Sequence, residues 1–253
     1  MQVVIFCGGL GTRLTELTEE IPKPLIEIGD RPVLWHIMKI YSYYGINDFI
    51  LCLGYKGDKI KDYFLKSSLR NNDFSIINNK INLHTKNEEK WNITFVDTGE
   101  NATKAERLMK VKKYIQGDNF CVAYGDDVSD VNIYELIKFH LKHKKIATIT
   151  AVQIANQYGV LEFNEDKLIT LFKEKPLMKE WINGGFMVFN KKIFDYIKSG
   201  FELEKEIFEN LSKDKQIYAF THNGFWKGMN IIKDTKDLNA LWRDGKAKWK
   251  VWK

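Results

Sequence analysis

The sequence is poor in the residues that build several common kinds of protein. Its 253 residues contain only three cysteines, Cys7, Cys52 and Cys121, and each lies within an apolar run. They form no CxxC pair, so we expect buried, reduced thiols in strands and neither a zinc site nor a disulfide framework. No stretch rich in proline, glycine and serine marks a linker. We therefore expect one continuous domain over residues 1–253.

Long apolar runs and strong charge are lacking as well. No run approaches membrane-spanning length, and the start MQVVIFCGG has neither a basic region before its apolar residues nor a small-residue cleavage site. We expect a cytoplasmic protein that does not enter a membrane. The 39 Lys and Arg against 33 Asp and Glu leave a net charge of +6, spread along the chain. A dedicated nucleic-acid binder usually concentrates such charge, so we expect no nucleic acid and favour a small anionic ligand.

Apolar strand-like runs alternate with helix-like patterns in the first half of the chain. Strands are predicted at residues 3–7, 48–53, 93–96 and 120–124, and helices at 32–44, 58–70 and 103–116. Between them, the stretch 71–90 is polar and rich in Asn. Such β-α-β repetition with buried strands is typical of a sheet covered by helices on both faces. We predict an α/β fold with a Rossmann-like mixed, mostly parallel sheet flanked by helices.

The second half of the chain is richer in strands. These are predicted at residues 147–152, 159–163, 168–172 and 185–189. Helices are predicted near residues 191–198, 203–212 and 235–242. The sequence thus predicts a smaller, β-rich second half within the same domain.

The most informative segment is the glycine loop GGLGTR at residues 8–13, directly after the first predicted strand. Glycines let the backbone approach a ligand closely, and the exposed N–H groups can bind phosphate oxygens. The loop lacks the Gly-Lys-Ser/Thr of a Walker loop, and Leu14 stands where a dinucleotide-binding loop has its third glycine. Arg13 is one of only five arginines, and two flanking prolines stiffen the segment that carries Lys23. A triphosphate site is favoured over a plain strand-to-helix turn.

GGLGTR followed by PKP is the signature of the sugar-1-phosphate nucleotidyltransferases, and the chain resembles them over nearly its whole length. PVLWHIMKIYSYYGI with the following GYKGD, and also WNITFVDTG, YGDDVSD, EKP, INGGF and GKAKWKVW, are similar to the glucose-1-phosphate cytidylyltransferase branch. The resemblance implies a nucleotide-binding half at about residues 1–130 and an acceptor-binding half at about 131–253. It also implies CTP, a small phosphorylated acceptor and Mg²⁺ as cofactor, and we expect a homo-oligomer.

The resemblance assigns roles to individual residues of this sequence. The expected catalytic residues are Arg13 and Lys23. The residues expected to bind the nucleotide are Gly8, Gly9, Gly11, Thr12, Thr98, Gly99 and Arg107. The residues expected to bind the acceptor are Glu106, Glu174, Lys175, Asn183 and Gly184. The expected metal ligands are Asp126 and Asn230.

Two of these positions depart from the family pattern. The family has a Met-Asp pair after Phe-Trp that supplies a second metal carboxylate, whereas here Met229 is followed by Asn230, whose oxygen is uncharged. The family usually has Gly-Gly-Arg where this chain has Ala105-Glu106-Arg107. Both changes are expected to face the ligand and so to favour a different acceptor. The carboxylate of Glu106 is expected to meet an amino group that glucose lacks.

These departures lead to a specific expectation about the acceptor. A cytidylyltransferase of this type with a non-sugar acceptor belongs to the biosynthesis of the phosphoramidate modification of bacterial capsules, where CTP and L-glutamine phosphate give CDP-L-glutamine. We expect this acceptor, with glucose-1-phosphate as the alternative and a non-catalytic nucleotide-binding homologue as an alternative of another class. The nucleophile is a phosphate that is already ionised at neutral pH, so the reaction needs no Ser-His-Asp or Cys-His group.

The remaining candidate residues receive structural interpretations. Asp127 and Asp130 are expected to lie in a solvated loop or to cap a helix, with assistance to metal binding as the alternative for Asp127. His140 and His143 are expected at the surface of a Lys-rich helix, and His36 and His222 in packing or hydrogen-bonding roles. The C-terminal tryptophans Trp242, Trp249 and Trp252 are expected to close the core or to form a subunit contact.

Overall fold

The computed structural model describes residues 1–9, 20–85 and 89–252. Its strands are β1 (Gln2–Phe6), β2 (Glu27–Ile28), β3 (Arg31–Pro32), β4 (Asp48–Leu53), β5 (Phe74–Ile77), β6 (Lys80–Leu83), β7 (Asn92–Asp97), β8 (Asn119–Tyr124), β9 (Asp127–Ser129), β10 (Ala147–Val152), β11 (Val160–Phe163), β12 (Ile169–Lys173), β13 (Ile182–Asn190), β14 (Ile217–His222) and β15 (Trp226–Gly228). Its α-helices are α1 (Val33–Tyr43), α2 (Gly57–Arg70), α3 (Lys104–Val111), α4 (Ile133–His143), α5 (Phe208–Lys213) and α6 (Ile232–Arg243). Short 3₁₀ helices cover Lys23–Leu25, Lys112–Tyr114 and Lys191–Tyr196, and a π-helix covers Leu203–Ile207.

Seven strands form one central sheet in the order β14-β10-β13-β8-β1-β4-β7. Neighbouring strands run parallel except at β13, which is antiparallel to both β10 and β8. The mixed, mostly parallel α/β sheet predicted from the sequence is thereby confirmed. The sheet takes β1, β4, β7 and β8 from the first half of the chain and β10, β13 and β14 from the second half.

The alternation of side chains along β1 explains why both faces of the sheet are covered. Val3 and Ile5 are fully buried in the core cluster that also contains residues of α1, α4 and α6. Val4 is fully buried and Phe6 almost so in the second cluster, which contains residues of α3 and α5. Parallel strands buried on both faces place their carboxyl ends together at one edge of the sheet, where ligands of such folds bind.

The C-terminal tryptophans close the core, as expected. Trp249 is fully buried, and its ring packs against Phe225, Trp242 and His36. Its Nε1 donates to His36 Nδ1 at 3.4 Å, while the other ring nitrogen of His36 contacts the carbonyl of Ile28 at 2.9 Å. The packing role expected for His36 is therefore confirmed.

Several elements differ from the sequence predictions, including strand β14 of the central sheet, which was not predicted. The Asn-rich stretch contains the hairpin β5–β6, whose turn is made by Asn78 and Asn79 with φ of 50° and 60°, a backbone conformation that Asn tolerates better than most residues. The helix predicted near 203–212 begins with the π-helix and continues as α5, and the helix predicted near 191–198 is a 3₁₀ helix.

Among the described residues, no helix has the length and apolar character required to cross a membrane.

The expectation that His140 lies at the surface is wrong. Its ring is buried, with Nδ1 at 2.8 Å from Thr148 Oγ1 and Nε2 at 3.1 Å from Asn119 Oδ1. Thr148 Oγ1 also lies 2.7 Å from His143 Nε2, so the hydroxyl accepts from His143 and donates to His140. Burial, and next the neighbouring His143, lower the pKa of His140 to about 4, and burial lowers that of His36 to about 4 as well.

These two histidines predict acid sensitivity of the fold. Each is neutral when folded and takes up a proton near its ordinary pKa of 6.5 when unfolded, so stability is lost as pH falls from about 6.5 towards 4. Replacing His140 by Gln should remove about 2 kcal/mol from the difference in unfolding free energy between pH 8 and pH 5, measured by urea denaturation. The exposed His84 is the control, since His84→Gln should retain the wild-type difference. An unchanged difference in His140→Gln would show that the ring is already protonated in the folded state.

Candidate active site

A cavity of about 540 Å³ opens at the carboxyl edge of the sheet, beside the ends of β1 and β8. Residues from distant parts of the sequence line it, including Gly9, Lys23, Thr103, Lys104, Arg107, Tyr124, Asp126, Asp127, Asn183, Trp226 and Asn230. Both halves of the chain contribute to its walls. It therefore brings together six of the described residues that the sequence singled out, which are Gly9, Lys23, Arg107, Asp126, Asn183 and Asn230.

Lys23 is the central cation of the cavity. It begins the 3₁₀ helix Lys23–Leu25, and the flanking Pro22, at φ −68°, fixes the backbone that enters this turn. The Lys23 ammonium forms an ion pair with Asp126 and donates to Asn230 Oδ1 at 3.1 Å. The backbone N–H of Met229 donates to the Asp126 carbonyl at 2.9 Å, which holds the loop after β8 against the loop after β15. The predicted catalytic lysine and both predicted metal ligands thus meet at one point.

The donor atoms at this point suit a magnesium ion. A carboxylate oxygen of Asp126 and the amide oxygen of Asn230 both contact one cation, the Lys23 ammonium, so they converge on a site where positive charge is stabilised. Mg²⁺ prefers such oxygen ligands and is commonly held by one or two protein groups, with phosphates and water completing the octahedron. Within residues 1–9, 20–85 and 89–252, no cluster of three His, Cys, Asp or Glu side chains forms a fuller metal cage.

Asp127 is a buried carboxyl group that the sequence interpretation placed in a solvated loop. It lies at the start of β9 and is 6% exposed. It faces two glycines, and their lack of a side chain leaves room for its oxygens. A Cβ on Gly185 would lie 2.5 Å from Oδ2, and a Cβ on Gly228 would lie 2.8 Å from Oδ1. Burial, together with the neighbouring Asp126 carboxylate, raises the pKa of Asp127 well above its usual range. Asp130 instead accepts from the Phe225 backbone at 2.7 Å and contacts His222 at 2.9 Å.

The buried side chain of Arg107 supports the glycine loop from behind. Its guanidinium donates to the carbonyls of Leu53, Gly99, Glu100 and Gly8 at 2.8–3.1 Å and to Thr98 Oγ1 at 2.6 Å. These acceptors follow or end β1, β4 and β7, so one planar cation fastens three neighbouring strand ends. Thr98 is fully buried, and its hydroxyl donates to the Leu53 carbonyl. The polar groups of Thr98 and Arg107 are therefore occupied by the protein itself.

The remaining predicted loop residues Gly11, Thr12 and Arg13 lie outside the described residues. Gly8 and Gly9 are described, and Gly9 lines the cavity. The glycine loop thus approaches the cavity from the end of β1, as the sequence predicts, over the part that the structure describes.

Of the predicted acceptor residues, Asn183 lines the cavity, and Gly184 lies next to it and contacts the lining residue Trp226. Asn183 Nδ2 donates to the Tyr124 hydroxyl at 2.8 Å, and Oδ1 accepts from the Gly185 backbone at 2.9 Å, so the amide is fixed in one orientation. The Gly184 carbonyl accepts from Trp226 Nε1 at 2.8 Å. β13 therefore presents a rigid polar surface on the side of the cavity formed by the second half of the chain.

Glu174 and Lys175 lie away from this wall. Their side chains pair with each other at 3.5 Å and are more than half exposed, beyond the end of β12. Neither belongs to the lining of the cavity as the described residues form it.

Glu106 corrects an expectation. Its carboxylate accepts from the Thr103 backbone at 2.9 Å, and the Glu106 backbone donates to Thr103 Oγ1 at 3.2 Å, which forms a capping box at the start of α3. Its second oxygen accepts from the Gly200 backbone at 3.4 Å. Because the carboxylate is used to cap the helix, it does not face the acceptor side of the cavity. The pattern Thr-x-x-Glu at residues 103–106 is the sequence signal of this role.

Residues 2–246 match the Nucleotidyl transferase family. The chain belongs to this family.

Two curated relatives of this nucleotidyl transferase match over their full length and the full length of the chain. A probable glucose-1-phosphate cytidylyltransferase of Bacillus subtilis is 42% identical over 255 residues, and the glucose-1-phosphate cytidylyltransferase of Salmonella typhimurium is 43% identical over 257 residues. Among solved structures, HddC from Yersinia pseudotuberculosis is 26% identical with a TM-score of 0.69, covering 95% of this chain and 99% of that one. The resemblance stated from the sequence is confirmed.

Two residues of this nucleotidyl transferase that the sequence interpretation missed, Tyr124 and Lys104, also line the cavity, and both contact Glu204. Tyr124, at the end of β8, hydrogen-bonds to Asn183 and to Glu204, and Glu204 pairs with Lys104. The position of Tyr124 just before Gly125 and Asp126 is a signal in the sequence, whereas Lys104 and Glu204 are a hundred residues apart and carry none.

The glycine loop of this nucleotidyl transferase gives a matched test. A Cβ on Gly8 would lie 2.1 Å from Arg107 Nη1 and 2.9 Å from the Gly54 backbone nitrogen, whereas a Cβ on Gly9 would meet nothing within 4 Å. Gly8→Ala should therefore lower the unfolding free energy by about 1–3 kcal/mol, while Gly9→Ala should change it by less than about 0.5 kcal/mol. Urea denaturation measures both. Equal stability of the two variants would mean that Arg107 does not hold the loop.

Proposed function

We propose that this nucleotidyl transferase moves a CMP group from CTP to the phosphate of a small acceptor and releases pyrophosphate. The observation that carries the proposal is the meeting of Lys23, Asp126 and Asn230 at the edge of a cavity lined by the glycine loop. A triphosphate needs a cation that compensates its charge, and its metal ion needs oxygen ligands. Lys23 is suited to the first task, and Asp126 and Asn230 are suited to the second. The identity of the nucleotide is supported by the two cytidylyltransferase relatives.

In the proposed reaction, an oxygen of the acceptor phosphate attacks the α-phosphorus of CTP. The bond from that phosphorus to the oxygen bridging to the β-phosphate breaks, and pyrophosphate leaves with the electron pair. No proton has to be removed, because the attacking phosphate is already ionised at neutral pH. Catalysis then consists of aligning two anions and compensating their charge.

The chain's own residues are assigned to these tasks. Lys23, freed from Asp126, neutralises the α-phosphate and the departing pyrophosphate, and Gly8, Gly9 and the following loop with Arg13 bind the triphosphate. Asp126 and Asn230 are the residues that would hold Mg²⁺, which when bound supplies further positive charge to the phosphates. Arg107, with Thr98 and Gly99, contributes by holding the glycine loop in place.

For the acceptor, we propose a sugar 1-phosphate, with glucose-1-phosphate first, because both full-length relatives are named for that substrate. L-glutamine phosphate is the second candidate. Glu106 no longer supports this candidate, because its carboxylate caps a helix. The departure at Asn230 still supports it, and so does the charged Lys104–Glu204 pair beside Asn183, which suits a charged acceptor.

We also propose a homo-oligomer. The hairpin β11–β12 exposes two cross-strand apolar pairs, Leu161 with Phe172 and Phe163 with Ile169, whose members are each 45–61% exposed. An isolated two-stranded hairpin of this kind is marginally stable in water and gains stability when another surface covers it.

A panel of pyrophosphate-release assays tests the function. Four nucleoside triphosphates are crossed with glucose-1-phosphate, L-glutamine phosphate, glycerol phosphate and phosphocholine, and we expect turnover with CTP and glucose-1-phosphate. Turnover only with CTP and L-glutamine phosphate would instead establish the second candidate. Binding of CTP without turnover of any pair would support a non-catalytic homologue and overturn the proposal.

The amide at position 230 predicts the strength of metal binding. Asn230→Asp adds a charged ligand, so Mg²⁺ should bind at least about tenfold more tightly in the presence of CTP, measured by calorimetry. The control Asn82→Asp adds the same charge on the exposed strand β6 and should leave the affinity unchanged. Equal affinity of Asn230→Asp and wild type would place the metal away from residue 230.

A further inference from the structure

A second ion pair lies at the cavity, apart from the Lys23 site. The Lys104 ammonium pairs with Glu204 Oε1 and lies 4.6 Å from the centre of the Tyr124 ring. Lys104 lines the cavity and remains 42% exposed, and Glu204 remains 34% exposed. The pair is thus accessible to a ligand and is held in a fixed place by the ring beneath it.

The position of Lys104 is unfavourable for the helix that carries it. Lys104 is the first residue of α3, where the positive end of the helix dipole disfavours a cation. The capping box of Thr103 and Glu106 already satisfies this helix end, so the helix does not need Lys104. Glu204 lies in the π-helix Leu203–Ile207, a conformation found frequently at functional sites. Neither placement is explained by local stability.

A chain of hydrogen bonds connects this pair to the acceptor side of the cavity. The Tyr124 hydroxyl donates to Glu204 Oε1 at 2.6 Å and accepts from Asn183 Nδ2 at 2.8 Å. Burial, and next the Glu204 carboxylate, raise the pKa of Tyr124, so its hydroxyl keeps the proton that it donates. Thr103 Oγ1 donates to the Phe201 carbonyl at 2.8 Å, which ties the segment before Lys104 to the segment before Glu204. The two charged groups are therefore linked by hydrogen bonds to the wall that Asn183 forms.

The two ion pairs lie at different places in the cavity and are suited to contact different parts of a ligand. Lys23, Asp126 and Asn230 meet where phosphates and a metal are expected, whereas Lys104 and Glu204 meet beside Tyr124 and Asn183. A ligand group at the second pair meets an ammonium donor and a carboxylate acceptor side by side. Such a pair suits a polar group that carries a hydrogen-bond acceptor next to a donor, as adjacent hydroxyls or an amino acid head group do.

We propose that Lys104 and Glu204 determine acceptor specificity by binding the part of the acceptor remote from its phosphate, and that Tyr124 is a positioning residue that aligns Glu204 with Asn183. The inference rests on the proposed transfer to a phosphorylated acceptor and adds the chemistry of its remote end, an adjacent donor and acceptor. Phosphocholine, whose quaternary ammonium offers neither, is excluded as a substrate.

Steady-state kinetics with CTP and the acceptor selected by the panel test this assignment. Lys104→Met, Glu204→Gln and Tyr124→Phe should each raise the KM for the acceptor about tenfold and leave the KM for CTP unchanged. Lys112→Met and Glu209→Gln, which remove the same charges from exposed positions outside this cavity, should match the wild type. Thermal melting checks that each variant is folded.

One further substitution identifies the chemistry at the remote end. Lys104→Gln retains a neutral donor, so it should restore acceptor KM close to the wild-type value if the remote group is a hydroxyl, and leave it raised if the group is a carboxylate. Either result supports the assignment, and this variant also serves if Lys104→Met does not fold.

Three outcomes would overturn the assignment alone. In an active wild type, a raised KM for CTP with an unchanged KM for the acceptor would place the nucleotide at this pair, and unchanged KM values with a lowered melting temperature would make the pair structural. Turnover of phosphocholine would also contradict it. A wild type that turns over no acceptor would overturn the proposed function, and the assignment with it.

Discussion

The contact on which the cavity depends is the set of hydrogen bonds from the buried Arg107 guanidinium to the ends of β1, β4 and β7. A buried charge is costly unless it is fully hydrogen-bonded, and here five oxygen atoms satisfy it. The planar guanidinium can reach several strand ends at once, which the single ammonium of a lysine cannot do with the same geometry. Gly8 and Gly54 follow from this contact, because a Cβ at either position would collide with the guanidinium. The glycine at position 8 is therefore required by packing against Arg107, in addition to any contact of the loop with a ligand.

At the open side of the cavity, by contrast, charged side chains remain accessible to a ligand. Lys23 is held by Asp126 and Asn230, and Lys104 is held by Glu204, so each cation is fixed before a substrate arrives. Partners that already restrict these side chains lower the entropy lost on binding. Asp127, in contrast to these ion pairs, is buried and packs against Gly185 and Gly228. The site therefore combines an interior whose polar groups are hydrogen-bonded within the protein with ion pairs that remain partly exposed at the cavity surface.

Much of this arrangement could be predicted from the sequence, and the exceptions share one cause. The buried strands of the first half were predictable because apolar runs bounded by glycines are local features. Lys23 and Asp126 could be singled out because they match a family signature, and Asn230 because it stands where that pattern has a second metal carboxylate. The burial of Asp127 and His140 was not, since it depends on Gly185, Thr148 and Asn119 from other strands. Glu106 is instructive because its capping pattern was visible locally, yet its departure from the family pattern suggested a ligand contact. Lys175 follows an exposed hairpin, whose position relative to the cavity no local pattern specifies.

The reversed direction of β13 has a consequence for how such an enzyme diversifies. Because β13 runs against β8 and β10, its beginning lies at the edge where the parallel strands end. The whole excursion between β10 and β13, including the hairpin β11–β12, therefore leaves the sheet and returns to it at that one edge. Insertions, deletions or substitutions there change the neighbourhood of Asn183 without shifting the register of any strand that carries the glycine loop. The neighbourhood of Asn183 can accordingly vary while the strands that position the glycine loop remain under unchanged structural constraint.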